Sequence, residues 1–105
     1  MKKVYYNVTN NIDETIEYEW LSWMKQDYIP ELLSGEYFES IKLLKVLVEE
    51  EMGGQTYAIM HKCKNIEVLE DYVQNHSHKL NKIMSDKFGQ KVVSFVTLLE
   101  EEYTI

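Results

Sequence analysis

With 105 residues, 45% of them hydrophobic and 12% aromatic, the chain has the length of one domain and enough apolar content for one packed core, which excludes a disordered tail. Eighteen acidic residues against eleven basic ones give a net charge of -7. Such a surface repels phosphate backbones and anionic headgroups, so neither nucleic acid nor a membrane surface is an expected partner.

No apolar stretch approaches the roughly 20 residues of a membrane-spanning helix. Met1-Lys2-Lys3 runs straight into a strand pattern instead of a secretory leader, and a lone cysteine, Cys63, cannot close an internal disulfide. The expectation is a cytoplasmic domain covering 1–105.

In chain order, Val4, Tyr6 and Val8 alternate within a β-branched and aromatic run, which predicts a first strand over Val4 to Thr9. Asp13 fits as the N-cap of a helix with Glu14 in its first turn and an inward stripe of Ile16, Trp20, Trp23, Met24 and Asp27. Pro30 predicts a kink or stop near Tyr28-Ile29. The run Ile41 to Val48 is apolar on both alternating faces and reads as a second strand. Gly53-Gly54 predicts a tight two-residue hairpin into a third strand over Thr56 to Met60. Asn65 then caps a second helix whose apolar face is Ile66, Leu69, Val73, His76, Leu80 and Ile83, ending before Gly89. Val92 to Leu99 is the last strand.

The resulting βαββαβ order is the ferredoxin-like pattern, an α+β fold with both helices on one face of a four-stranded antiparallel sheet. The other sheet face stays bare although the second and fourth strands are apolar on both sides. That predicts a partner, most simply a second copy about a twofold axis.

Four segments carry a family resemblance: Tyr6-Asn7-Val8-Thr9; Trp20-Leu21-Ser22-Trp23-Met24 with Ile29-Pro30; Gly54-Gln55-Thr56-Tyr57; and Lys87-Phe88-Gly89. In order and spacing they resemble the DUF4286 family, small bacterial proteins with a domain of unknown function. The resemblance implies the dimeric α/β barrel fold and supplies no mechanism. In proteins of that fold a small ligand tends to sit between helices and sheet, so the inward residues are the ones to weigh.

Trp20, Trp23, Met24, Tyr28, Tyr57 and His76 are the candidate lining of a pocket for a small apolar or aromatic ligand. Such a stripe also suits plain core, and His76 also suits a core imidazole bonded to backbone. As candidate catalytic groups, His76 handles protons and Asn7, a polar residue in mid-strand, orients a carbonyl or oxygen species. Haem-degrading monooxygenases of this fold are similar in pairing a first-strand Asn with a second-helix His. Their third-strand tryptophan, however, has no counterpart here. His61 and Cys63 share a strand face at zinc-ligand spacing, but two ligands make no site, and no metal or cofactor is expected. Glu49-Glu50-Glu51 and Glu100-Glu101-Glu102 read as charged strand ends rather than a cation site.

Three functional classes therefore stand. The leading one is a homodimeric domain holding a small ligand. The second is a cofactor-independent monooxygenase or isomerase, and the third is a protein-interaction module.

Overall fold

Alternation of apolar and polar residues builds the sheet. The structure, a computed structural model, describes residues 2–47 and 53–105. Strand β1 spans Val4–Ile12, β2 Ser40–Lys45, β3 Gln55–Cys63 and β4 Val92–Glu100. All pair antiparallel in the order β2-β3-β1-β4, the ferredoxin-like order that the element pattern predicts. β1 runs past the predicted end at Thr9 because Asn10 and Ile12 continue its buried face. From β3, Tyr57, Ile59, His61 and Cys63 join that face and are buried with it.

The link from β2 to β3 corrects the predicted two-residue hairpin. Lys45 stands opposite Tyr57, and the Val46 N–H donates to the Thr56 carbonyl at 2.9 Å. A two-residue turn at Gly53-Gly54 would need a register several residues further along than this pairing. Residues 48–52, with the end of the predicted strand and the Glu49 to Glu51 run, lie outside the described residues. Gly53 and Gly54 do adopt positive φ, 81° and 76°. At Gly54 the reason is also steric, since a Cβ there would lie 2.6 Å from the Ile12 carbonyl oxygen.

The first helical stretch opens on a 3-10 turn at Glu14–Ile16, where the Asp13 carboxylate accepts from the Thr15 N–H at 2.9 Å and from its hydroxyl at 2.6 Å. Helix α1 follows over Glu17–Trp23. The break predicted at Pro30 takes the form of one wide π turn, Met24–Tyr28, after which α2 continues over Ile29–Ser34. In a regular helix the proline ring would meet the carbonyl four residues back, and the wide turn relieves that clash. Its second effect is on packing. Trp20, Met24, Tyr28 and Leu32 are all buried at intervals of four, a spacing that drifts about 40° per step around a straight α-helix. The wide turn holds them in one inward line.

Asn65 caps α3 (Ile66–Asn75), its side-chain oxygen accepting from the Val68 N–H at 3.0 Å. The backbone breaks at His76, where φ is -131°, and α4 (Ser77–Phe88) begins. This break corrects the predicted apolar stripe. The buried positions are Leu69 and Tyr72 before it and Ser77, Met84 and Phe88 after it, while Ile66, Val73 and Ile83 are exposed. One continuous helix was the expectation; two helices out of phase are the result.

The helix layer does not reach β4. On the open sheet face Val93 and Phe95 are 64% and 62% exposed. On the helix side Val96 and Leu98 are 48% and 55% exposed. The bare apolar surface predicted for one face thus extends to both sides of this edge strand.

Replacing Gly54 by alanine is expected to lower stability by about 1–3 kcal/mol, through the forced positive φ and the Ile12 carbonyl clash. Urea unfolding of the two proteins measures it, and equal midpoints would refute the steric account.

Candidate functional site

Between helices and sheet lies a cavity of about 270 Å3, just under the roughly 300–1,000 Å3 usual for ligand pockets. Its floor is sheet: Tyr6, Val8 and Asn10 of β1, Ile59 and His61 of β3, and Val92, Ser94 and Val96 of β4. Its walls are Tyr28 from the π turn, Tyr72 of α3, and Asn81, Met84 and Ser85 of α4. It lies alongside β4, where the helix layer ends. No aspartate, glutamate, lysine or arginine lines it.

The β-ladder brings the polar groups together. Tyr6 stands opposite His61, and Asn10 opposite both Tyr57 and Ser94. Asn10 is fully buried and satisfied: its amide donates to the Val8 carbonyl at 3.1 Å and the Tyr57 carbonyl at 3.5 Å, and its oxygen accepts from the Ser94 hydroxyl at 2.6 Å. His61 is 2% exposed and donates from Nδ1 to the Tyr6 carbonyl at 2.7 Å. A carbonyl only accepts, so this bond places the proton on Nδ1 and leaves Nε2 as a lone-pair acceptor. An edge contact with Tyr6, ring centroids 5.2 Å apart, and a tilted contact with Phe38 at 4.8 Å fix the ring plane.

Three phenols complete the lining. Burial raises the pKa of Tyr28 and Tyr72, and each is pushed further by the Tyr6 phenol nearby; Tyr6 is itself raised by burial. All three stay neutral donors at physiological pH. Among the described residues none of these hydroxyls, nor His61 Nε2, makes a hydrogen bond within the protein, and all remain accessible; the fully buried atoms without a partner are Asn7 Oδ1 and Trp20 Nε1.

Of the residues predicted to line a pocket, Tyr28 alone reaches this cavity. Trp20, Met24 and Tyr57 fill the core, Trp20 against Tyr57 at 5.4 Å, and the Tyr57 hydroxyl donates to Glu17 at 2.6 Å. Trp23 packs on Tyr28 at 4.8 Å and Phe88 at 5.3 Å and borders a shallow outer groove with Pro30 and Leu80. His76 stacks on Tyr37 at 4.8 Å in a third groove, beside Leu32 and Gly35. Asn7 faces the open side of the sheet, between Met60 and Thr97. Asn7 and His76, paired as catalytic candidates in the sequence, therefore sit on opposite sides of the sheet and share no site.

Cys63 does share a face with His61, as predicted, but its thiol donates to the Tyr37 carbonyl at 3.5 Å and burial pushes it up to about 11. Among the described residues no cluster of three metal-ligating side chains occurs. Glu100 and Glu102 pair with Lys2 at 3.4 and 2.9 Å, and Glu101 accepts from the Tyr5 hydroxyl at 3.0 Å. No helix among the described residues is long and apolar enough to cross a membrane. His61, Tyr6, Tyr72 and Asn10 were missed in the sequence. The usable signal was the period-two row Tyr57, Ile59, His61, Cys63, which puts an imidazole on the same buried face as Ile59.

Burial pushes the His61 pKa down to about 4, outweighing the Tyr6 and Ile59 carbonyls that favour the protonated ring. The folded value lies below the unfolded one, so unfolding takes up a proton once the pH drops under about 6.5. The destabilisation is absent above that pH, grows on acidification, and levels off below about 4. Between pH 7 and 4.5 it is expected to reach about 2–3 kcal/mol. Carboxylates titrate there too, so the readout is the difference between the wild type and His61→Gln in urea unfolding at both pH values. Identical acid losses in the two would contradict a buried neutral imidazole.

No curated protein matches the sequence. Among solved structures the chain is similar to a dimeric ferredoxin-like protein from an uncultured marine organism, with a TM-score of 0.74 and 7% identity over 100% of both chains. A conserved protein from Methanosarcina mazei Go1 aligns at a TM-score of 0.67 and 13% identity, over 97% of this chain and 95% of that one. A conserved protein of unknown function from Bacteroides thetaiotaomicron VPI-5482, described as a possible oxidoreductase, aligns at 0.64 and 16%, over 95% and 98%. Identities this low show a shared fold and nothing finer. The sequence profile of a domain of unknown function, DUF4286, matches residues 3–102. With that match over nearly the whole length, the chain belongs to the DUF4286 family.

Proposed function

We propose that this protein is a homodimeric binding domain whose cavity takes a small, neutral, ring-bearing molecule with at least one hydrogen-bonding oxygen. One observation carries the reading: three phenols and the imidazole of His61, none of whose hydroxyls or Nε2 bonds within the protein, line a single cavity that opens along β4. Polar groups on a cavity wall that bond to nothing within the protein are available to something that enters it. Aromatic and aliphatic walls suit a flat ring. The lack of a charged lining residue disfavours an ionised ligand, because an unpaired buried charge is costly.

The open sheet face supports the dimer. Val93, Phe95 and Leu99 of β4 and Leu44 of β2 are exposed together on it. A second copy laid sheet against sheet would bury them about a twofold axis. The dimeric protein of the same fold from the marine organism is consistent with that assembly.

Ligand-observed NMR with 2-naphthol and 2-tetralone as neutral probes and 2-naphthoate as the ionised control tests the cavity. The neutral probes are expected to bind at least about tenfold more tightly than the carboxylate. Ser94→Trp at the β4 wall should abolish their binding. Equal binding of the carboxylate, or indifference to Ser94→Trp, would sink the reading. For the assembly, light scattering should give a dimer mass for the wild type and a monomer for Phe95→Glu. A monomeric wild type would remove the dimer from the proposal.

A further inference from the structure

The cavity holds an arrangement that binding alone does not require. A buried imidazole whose tautomer is fixed by a backbone carbonyl, with Nε2 left free, lines the same space as two neutral phenols from the helix side. Resting on the binding reading above, we propose that the cavity is a proton-transfer site for a neutral ketone. In it His61 Nε2 carries a proton between two carbons of the ligand, and the Tyr28 and Tyr72 hydroxyls hold its carbonyl oxygen.

The step balances without an oxidant, a reductant or a leaving group. Nε2 takes a proton from the carbon beside the carbonyl. The C–H electron pair becomes a carbon–carbon double bond, and the carbonyl π pair moves onto oxygen. That oxygen accepts hydrogen bonds from the two phenols, which are neutral and therefore still carry their protons. The imidazolium then returns its proton from Nε2, either to the same carbon, giving exchange with solvent-derived protons, or to the far end of a conjugated enolate, giving a 1,3-shift. Nδ1 keeps its proton and its bond to the Tyr6 carbonyl throughout.

Three features of the site suit this use. The Tyr6 and Phe38 rings and the carbonyl bond hold the His61 ring in one orientation, so no rotamer search precedes the transfer. The lining carries no charge that would compete with the developing oxyanion for the phenol donors. The low basicity of His61, about 4, means that its protonated form gives the proton back readily. Bases of pKa about 4.6 sustain ketone isomerisation elsewhere when a phenol holds the oxygen. His76, half-buried on a separate groove against Tyr37, has none of this environment.

The test uses the whole protein with 2-tetralone in D2O, following loss of the proton signals on the carbon between ring and carbonyl. The wild type is expected to raise the exchange rate on the order of 100-fold over buffer. His61→Gln should return it to the buffer rate while still binding the ketone. Tyr28→Phe and Tyr72→Phe, which remove one oxygen each and leave the ring packing, should each slow it about tenfold or more. His76→Gln should leave it unchanged. If the ketone binds and no exchange appears, or if His61→Gln exchanges as fast as the wild type, the proton-transfer inference is overturned and the binding reading survives. If the ketone does not bind at all, both fall together. If His61→Gln fails to fold, the two tyrosine variants decide, and unchanged rates in both overturn the inference.

Discussion

Strand β1 is paired along its whole length on both sides, with β3 and with β4, and most of what is distinctive in this molecule follows from that constraint. A central antiparallel strand fixes the register of both neighbours at once. One residue of slip would send every side chain to the opposite face. Because Tyr6 must lie opposite His61, and Asn10 opposite Ser94, the polar groups of the cavity floor are assembled by backbone hydrogen bonds and not by side-chain packing. The helices then only have to supply phenols from above.

This division of labour explains what could be read in the sequence. Period-two alternation and the order of elements gave the sheet, its four strands and its ferredoxin-like topology, since each is a local pattern compatible with few folds. The side-chain N-caps at Asp13 and Asn65 were equally local. The site was less legible, because its geometry depends on two departures from regular helix. A π turn ahead of Pro30 swings Tyr28 inward, and a break at His76 shifts the buried face of the second helix from Val73 and Ile83 toward Tyr72 and Met84. A helical wheel drawn with one period cannot anticipate either. It therefore placed His76 in the site and overlooked Tyr72. His61 was missed for another reason: on its strand it read as half of an incomplete metal pair, when its real partner was a carbonyl on the adjacent strand.

The site also has an energetic cost. Desolvating His61 opposes protonation, and a cavity forgoes the dispersion contacts that a filled core would make. The surrounding aromatic cluster offsets part of it. Tyr6, Phe38 and Tyr72 meet one another or His61 at centroid separations of 4.7 to 5.7 Å, edge to face except for the tilted Phe38–His61 pair, contacts worth about 0.5–1.5 kcal/mol each beyond their buried area. The same rings that stabilise this end of the core thus hold the imidazole in place. Core packing and the orientation of the imidazole share their residues here, and a substitution that loosens one loosens the other.

Strand β4 connects the cavity to the proposed dimer. Its side chains alternate: Val93, Phe95 and Leu99 point to the open sheet face, while Ser94 and Val96 point into the cavity. On its own it is an edge strand of nine residues with no proline, no lysine and one carboxylate at its very end, which is the kind of edge that proteins ordinarily protect. A partner packed on the outward residues would be separated from the cavity by a single backbone layer. Since the core packs against β4 only at its Val92 end, the position of the rest of the strand over the cavity is set by β1 on one side and by whatever packs on its outward face. In a dimer formed through that face, the second copy would stiffen the cavity wall that Ser94 and Val96 provide, so assembly and ligand binding would act on the same strand from opposite sides.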